Sequence, residues 1–393
     1  MSLKKTKEDE ALESPKDSKR QWSFLLNSLK KMVDKKSAAS IFSGDDIYHA
    51  LKLENLVSTG SIQLDINMNG GYAPGRIYEI FGLEASGKST LVLKALKNFL
   101  DKDPRGVAFI DAEHSLNPEY LNNYNIDLDR LILIKPDNGE EAMAMAEAIA
   151  ASGIVSAIAL DSIAGLVPKA EQEKGLQADT MGRLGALMSK SLRNIATKLE
   201  ASKTAFLMVN QIRSSLSPYG PSEVVPGGHA PKFWSTGRLK VKKTGYIIRD
   251  EEVVGQTIEI TTEKNKLGAA KKTCTIDFIY AEGFDIHSEI ANLALRTPNS
   301  GFTISGSWIK GDGGATLCQG LENFVSILKF DQALFDSLKK RIFEIYETRP
   351  SLRLELGFEP FNVEGIRQKY EQRNNSDSEA SESTEKVDTK ANS

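Results

Sequence analysis

The chain has 393 residues, 40% hydrophobic and 26% charged, with a formal net charge of −3. That allows one large globular domain and a smaller one, and it is not the strongly basic balance of a protein that coats nucleic acid by charge alone. Two widely separated cysteines, Cys274 and Cys318, argue against a disulfide framework, no apolar run reaches the roughly 18 residues of a membrane span, and the charged start MSLKKTKEDEALESPKDSKR lacks a signal peptide's apolar centre, so a cytoplasmic protein without a membrane partner is expected.

Residues 1–20 carry dense charge of both signs and too little apolar surface to order, and so does the acidic stretch 373–393. Disordered tails are expected at both. The segment 21–55 opens with a predicted helix over Trp22–Val33, where Trp22, Leu25, Leu26, Leu29 and Met32 share one face. That face needs a partner, either its own domain or a neighbouring subunit. From Leu56 strands and helices alternate: strand Arg76–Phe81, helix Lys88–Leu100, strand Gly106–Ile110, helix Gly139–Ala151, strand Ser156–Leu160, helix Thr180–Ala201, strand Thr204–Val209. Such alternation predicts an α/β core over 56–281, with a mainly parallel sheet flanked by helices on both faces. After Trp234 the stretches RLKVKK, QTIEITTEK and KTCTIDFIY extend the sheet, and a small C-terminal domain is expected over 282–372.

Gly82-x-x-x-x-Gly87-Lys88-Ser89 has the spacing of a phosphate-binding loop and lies between a predicted strand and a predicted helix. Its glycines let backbone N–H groups curl around phosphate oxygens, and the following helix adds its positive dipole end. Residues Gly82, Leu83, Glu84, Ala85, Ser86, Gly87, Lys88, Ser89 and Thr90 are therefore the candidate nucleotide cradle. Lys88 is placed to reach the β- and γ-phosphates, and the Ser89 hydroxyl to bind Mg²⁺.

In open parallel sheets ligands bind beyond the carboxyl ends of the strands. FIDAEHS delivers Asp111 and Glu113 there, IALDSIAG delivers Asp161, and LMVNQIRSS delivers Asn210 and Gln211. Asp161, after an apolar run, suits the carboxylate of a magnesium shell. Glu113 suits a base that takes a proton from water, and Gln211 a neutral donor to the γ-phosphate. Asp111 and Asn210 also admit a plainer reading, as caps of their strands.

In this order, the segments VSTGSIQLD, GRIYEIFGLEASGKST, FIDAEHSLNPEY, LDSIAGLVPKAE, VNQIR, PGGHAPKF and KNK resemble the RecA family of DNA recombinases, in its bacterial form, from about Leu56 to Ile309. The resemblance implies a RecA-like P-loop ATPase core using ATP and Mg²⁺. In it Glu113 is the general base, Asp161 joins Ser89 at the metal, and Gln211 is the γ-phosphate sensor. It places Tyr120 on the adenine face, with Asn117 where the family usually has aspartate. Lys264 and Lys266 in TTEKNKLG read from spacing alone as a basic turn; the resemblance makes them paired lysines reaching the neighbour's ATP, and makes Phe233 an interface residue.

Two polar stretches, Glu171–Gly182 and Ile212–His229, look too irregular for helix or strand and are the expected DNA loops. The resemblance assigns DNA contacts to Ser189, Arg193, Arg213, Gly227 and Gly228. It makes Met181 and Leu216 candidates to wedge between bases, although Met181 reads equally as helix packing. Ala186, Ser215 and His229 replace a family arginine, lysine and asparagine, with Lys174 and Arg183 nearby to restore positive charge. The expected activity is that of an ATP-dependent recombinase, which forms helical filaments on single-stranded DNA and pairs it with duplex DNA. A hexameric helicase on the same core and a non-hydrolytic recombination accessory protein are the alternatives.

Overall fold

The computed structural model describes residues 15–32, 54–174, 182–214, 223–280, 283–348 and 358–374. The segment up to Glu54 forms a unit of its own, and Asn55 onward forms the other. In the first unit, helix α1 (Pro15–Met32) starts inside the stretch expected to be a charged tail. Pro15 stands at the first described helical position, where its missing N–H removes nothing. The charged residues before Trp22 thereby extend the amphipathic helix. Trp22, Leu25 and Leu29 are exposed on it.

In the second unit, short helix α2 (Ile62–Asn67) precedes strand β1 (Ile77–Gly82) and helix α3 (Lys88–Lys102). Next come β2 (Gly106–Asp111), α4 (Pro118–Asn123), β3 (Leu131–Ile134), α5 (Gly139–Ser152), β4 (Val155–Asp161), α6 (Lys169–Lys174), α7 (Arg183–Ser202) and β5 (Ala205–Gln211). The antiparallel part holds β6 (Arg213–Ser214), β7 (Glu223–Val224), α8 (Ala230–Trp234), β8 (Gly237–Arg249), β9 (Glu252–Asn265), β10 (Thr273–Ile279) and β11 (Gly283–Phe284). Among the described residues a nine-stranded sheet runs β11-β10-β9-β8-β1-β5-β4-β2-β3.

From β8 to β3 the pairs are parallel, and from β8 to β11 they are antiparallel. The burial patterns follow. β1 and β4 are buried at every position, as expected for strands covered on both faces, whereas β10 alternates buried and exposed, with one face wet. One apolar layer packs α3 beneath the sheet, with Leu91, Leu96 and Phe99, and the other packs α5 and α7, with Met143, Leu192 and Ile195. Edge strand β3 was not anticipated, because LILI is too short to separate from a buried turn by periodicity.

A third core joins α9 (Ile286–Arg296), the antiparallel strands β12 (Phe302–Ser305), β13 (Trp308–Gly311) and β14 (Thr316–Gln319), and helices α10 (Leu321–Phe330) and α11 (Gln332–Glu347). It is tied to the rest through Glu289 of α9. The Glu289 carboxylate accepts from Ser61 Oγ at 2.5 Å, from the Ile62 N–H at 3.0 Å and from the Gln63 N–H at 2.8 Å, satisfying the open N-terminus of α2.

Candidate functional site

The loop between β1 and α3 is shaped by two close approaches. A Cβ on Gly82 would lie 2.1 Å from the Val241 carbonyl oxygen, so only glycine lets β1 end against β8. Gly87 caps α3 in the left-handed region at φ 91°. The Ser86 hydroxyl donates to the Leu83 carbonyl at 2.8 Å, and Lys88 Nζ donates to the same carbonyl at 2.6 Å. Lys88 is buried, which lowers its pKa, and the carboxylates of Asp161, Glu113 and Glu84 oppose that shift. The outer loop residues Leu83, Glu84 and Ala85 are exposed; Ser86 and Thr90 are buried. Between residues 85–90 on one side and Asn123, Tyr124, Gln256, Phe278 and Tyr280 on the other lies a cavity of about 400 Å³.

β1, β2, β4 and β5 end at this edge of the sheet. Ser89 Oγ donates to Asp161 Oδ2 at 2.6 Å, although 72 residues separate them. Burial pushes the Asp161 carboxyl up to about 6, against the Ser89 hydrogen bond; the negative charge of Glu113 adds to the rise and Lys88 opposes it. Glu113 Oε1 accepts from Gln211 Nε2 at 2.9 Å and from the hydroxyl of Ser162. Ser89 and Asp161 also line a second space of about 210 Å³ with Asn117, Ser115 and Leu116. Among the described residues no three His, Cys, Asp or Glu cluster to hold a metal by themselves. One hydroxyl and one carboxylate fit a hard cation whose remaining ligands are phosphate oxygens and water.

Asp111 caps. Its carboxylate accepts from the Ser115 and Leu116 N–H groups at 3.1 and 3.2 Å, which shapes the turn that carries Glu113. Asn210 is fully buried and touches no cavity described above. Tyr120 belongs to α4, but its side chain lies outside what the structure describes. Lys264, Lys266 and Phe233 line neither cavity. Lys264 Nζ donates to the backbone carbonyls of Lys232 and Phe233 at 2.7 and 3.1 Å, at the end of α8. Its pKa is lowered by burial and by the nearby positive charge of Lys266. Phe233 is 68% exposed.

The two expected loops are more ordered at their bases than irregular stretches. Residues 171–174 close helix α6, which starts after Pro168 and is supported by an exposed Lys169–Glu173 pair at 3.9 Å. β6 and β7 pair antiparallel, Arg213 with Val224 and Ser214 with Glu223, giving the second loop a two-stranded neck. Helix α7 starts at Arg183 with Gly182 as its left-handed cap. Residues 175–181 and 215–222, with Met181 and Leu216, lie outside the described residues. Ser189 and Arg193 are exposed one turn apart on α7, and Arg213 is exposed on β6. Gly228 is exposed, whereas Gly227 is buried against Ile163.

Sequence reasoning missed Ser162, Gln256 and Tyr280. Ser162 directly follows Asp161 in the motif and was within reach. Gln256 and Tyr280 arrive from β9 and from the end of β10, and no local pattern marks them. Among the described residues no helix is long and apolar enough to cross a membrane.

The model of the RecA N-terminal domain matches residues 24–285. The chain is 37% identical over 293 residues to Protein RecA of Listeria ivanovii and, equally, of Listeria seeligeri, covering 74% of this chain and 83% of each relative. A solved RadB recombinase is 19% identical, with a TM-score of 0.45 over 58% of this chain and 98% of that one.

Proposed function

The chain belongs to the RecA family of recombinases, and from that premise we propose that it is a DNA-dependent ATPase that assembles head-to-tail on single-stranded DNA and exchanges it with a homologous duplex. One observation carries the reading. Gln211 hydrogen-bonds Glu113 through its side chain and opens the segment 212–229 through its backbone, so one residue touches both the reaction edge and the base of a loop.

When bound, ATP with Mg²⁺ supplies the phosphoanhydride and a charge-neutralising cation. The chain's own residues do the rest. The N–H groups of residues 83–89 cradle phosphate, and Lys88 exchanges the Leu83 carbonyl for a phosphate oxygen. Ser89 and Asp161 would hold the cation. Glu113 takes the proton of the attacking water. Gln211 leaves Glu113 to read the terminal phosphate, which frees the base and shifts the start of the loop in one movement. Asn117 and Tyr120 flank the adenine. Ser189, Arg193, Arg213 and Gly228 face the DNA phosphates, buried Gly227 shapes the turn beside Gly228, and Met181 and Leu216 separate bases. Lys264 and Lys266 of one subunit neutralise phosphate charge at the next, across a seam that includes Phe233. Such a seam is heterologous and grows a helix when its rotation does not close.

Hydrolysis measured with and without single-stranded oligonucleotide, together with negative-stain images, tests this. The expected outcome is DNA-stimulated turnover by helical filaments. Closed rings that unwind forks, or DNA binding without turnover, would refute it.

A further inference from the structure

Asn210 is fully buried one residue before the proposed phosphate sensor, and it spends every polar atom it has. Its Nδ2 donates to Glu79 Oε1 at 3.0 Å and to the Pro226 carbonyl at 2.9 Å, and its Oδ1 accepts from the Gln211 N–H at 3.0 Å. Glu79, on the adjacent strand β1, is 1% exposed; its other oxygen accepts from Arg238 Nε at 2.5 Å. The Arg238 guanidinium lies 4.3 Å over the Phe81 ring. An ion pair spanning β8 and β1 thus fixes Asn210 from the sheet side, and Asn210 fastens Pro226.

Pro226 precedes Gly227 and Gly228, both at positive φ. A Cβ on Gly227 would lie 3.0 Å from Ile163 Cγ2, and one on Gly228 would lie 3.3 Å from Gly185 Cα in the first turn of α7. The return limb therefore runs close beside Ile163 and the first turn of the helix that follows the first loop, with little room for a side chain at either glycine.

We infer that Asn210 is a positioning residue that couples Gln211 to the return limb of the second loop, with Glu79 and Arg238 holding it on the sheet. The inference rests on the nucleotide and DNA reading given above.

The test compares the affinity of the full chain for a labelled single-stranded oligonucleotide in ADP with that in a non-hydrolysable ATP analogue. Asn210→Ala should leave nucleotide affinity within about twofold of wild type and shrink the analogue-to-ADP affinity ratio by about fivefold or more, the scale of a typical coupling between sites. Lys240→Ala, which removes the outer tie of the same limb to Glu223 at 2.7 Å, should leave the ratio within about twofold, as expected for a surface pair. Should Asn210→Ala fail to fold, Asn210→Ser, with its single donor, should show a partial loss. A folded Asn210 variant with the wild-type ratio overturns this inference alone, as does an equal loss in Lys240→Ala. A wild-type ratio of unity overturns the functional reading, and this inference with it.

Discussion

Two edges of the second unit carry comparable chemistry and differ in closure. At the carboxyl ends of β1, β2, β4 and β5, each functional side chain is met by one from a different element. Ser89 meets Asp161, Gln211 and Ser162 meet Glu113, and Lys88 is buried among carboxylates. At the end of α8 and β9, Phe233 and Lys266 are exposed and Lys264 rests on backbone carbonyls. A reaction edge can be assembled within one chain because strands of one sheet deliver residues to it with fixed spacing. At the other edge the aromatic ring and Lys266 are left exposed, and Lys264 is held by the backbone of its own chain.

The sharpest way to break this comparison is to disable each edge separately. Lys264→Ala with Lys266→Ala should lower DNA-stimulated hydrolysis by about a thousandfold, the scale of a charge-neutralising finger supplied in trans. Glu113→Gln should lower it by about a hundredfold or more with nucleotide binding retained, as measured by fluorescent-nucleotide titration. Mixing the two variants should restore turnover that neither shows alone, because an intact seam then forms between unlike subunits. Absence of any recovery would place both edges in one reaction centre and end the distinction.

Smaller effects sharpen it. Gly82→Ala should destabilise the fold by about 3 kcal/mol or more in urea unfolding, since its Cβ meets a backbone oxygen that cannot give way. Asp65 is a buried carboxyl of neither edge. Burial pushes it up to about 7 from an ordinary 3.8, against hydrogen bonds from the Ser58 hydroxyl and the Thr59 N–H. Between those values the folded state holds a proton that the unfolded chain has released. Stability is therefore full below about pH 4 and falls as the pH rises towards 7. Asp65→Asn should flatten that decline by on the order of 2 kcal/mol, read from melts across the pH range. Smallest of all, Phe233→Ala should leave the isolated chain's stability within about 0.5 kcal/mol while weakening self-association in sedimentation.

Much of this architecture was legible beforehand, for reasons that are local. The phosphate loop is contiguous, and its glycines are demanded by backbone geometry at Gly82 and Gly87. The alternation of β1, α3, β2, α5, β4, α7 and β5 shows as switches between continuous apolar runs and helical spacing. The elements that escaped are short or supported from afar. β3 carries four residues; α6 is one exposed turn and a half; β6 and β7 pair across a loop whose residues resemble any polar connection. Charge density before Trp22 marks a segment that cannot build its own core, but it does not exclude one that extends a neighbouring helix, and α1 begins inside it.

Sequence alone determined the chemistry available to this protein: a lysine and a hydroxyl after a glycine turn, carboxylates and amides after apolar runs, and cations and an aromatic ring in a separate segment. Each is specified by neighbours within a few residues, so each can be read in one dimension. Tertiary structure decided the pairings. Ser89 reaches Asp161 and Glu113 reaches Gln211 only because parallel strands close in register over long separations. Asn210 became an inner fastening between Glu79 and Pro226 because its side chain turned towards β1. Direction and burial are set by packing against the whole sheet, which no local pattern encodes.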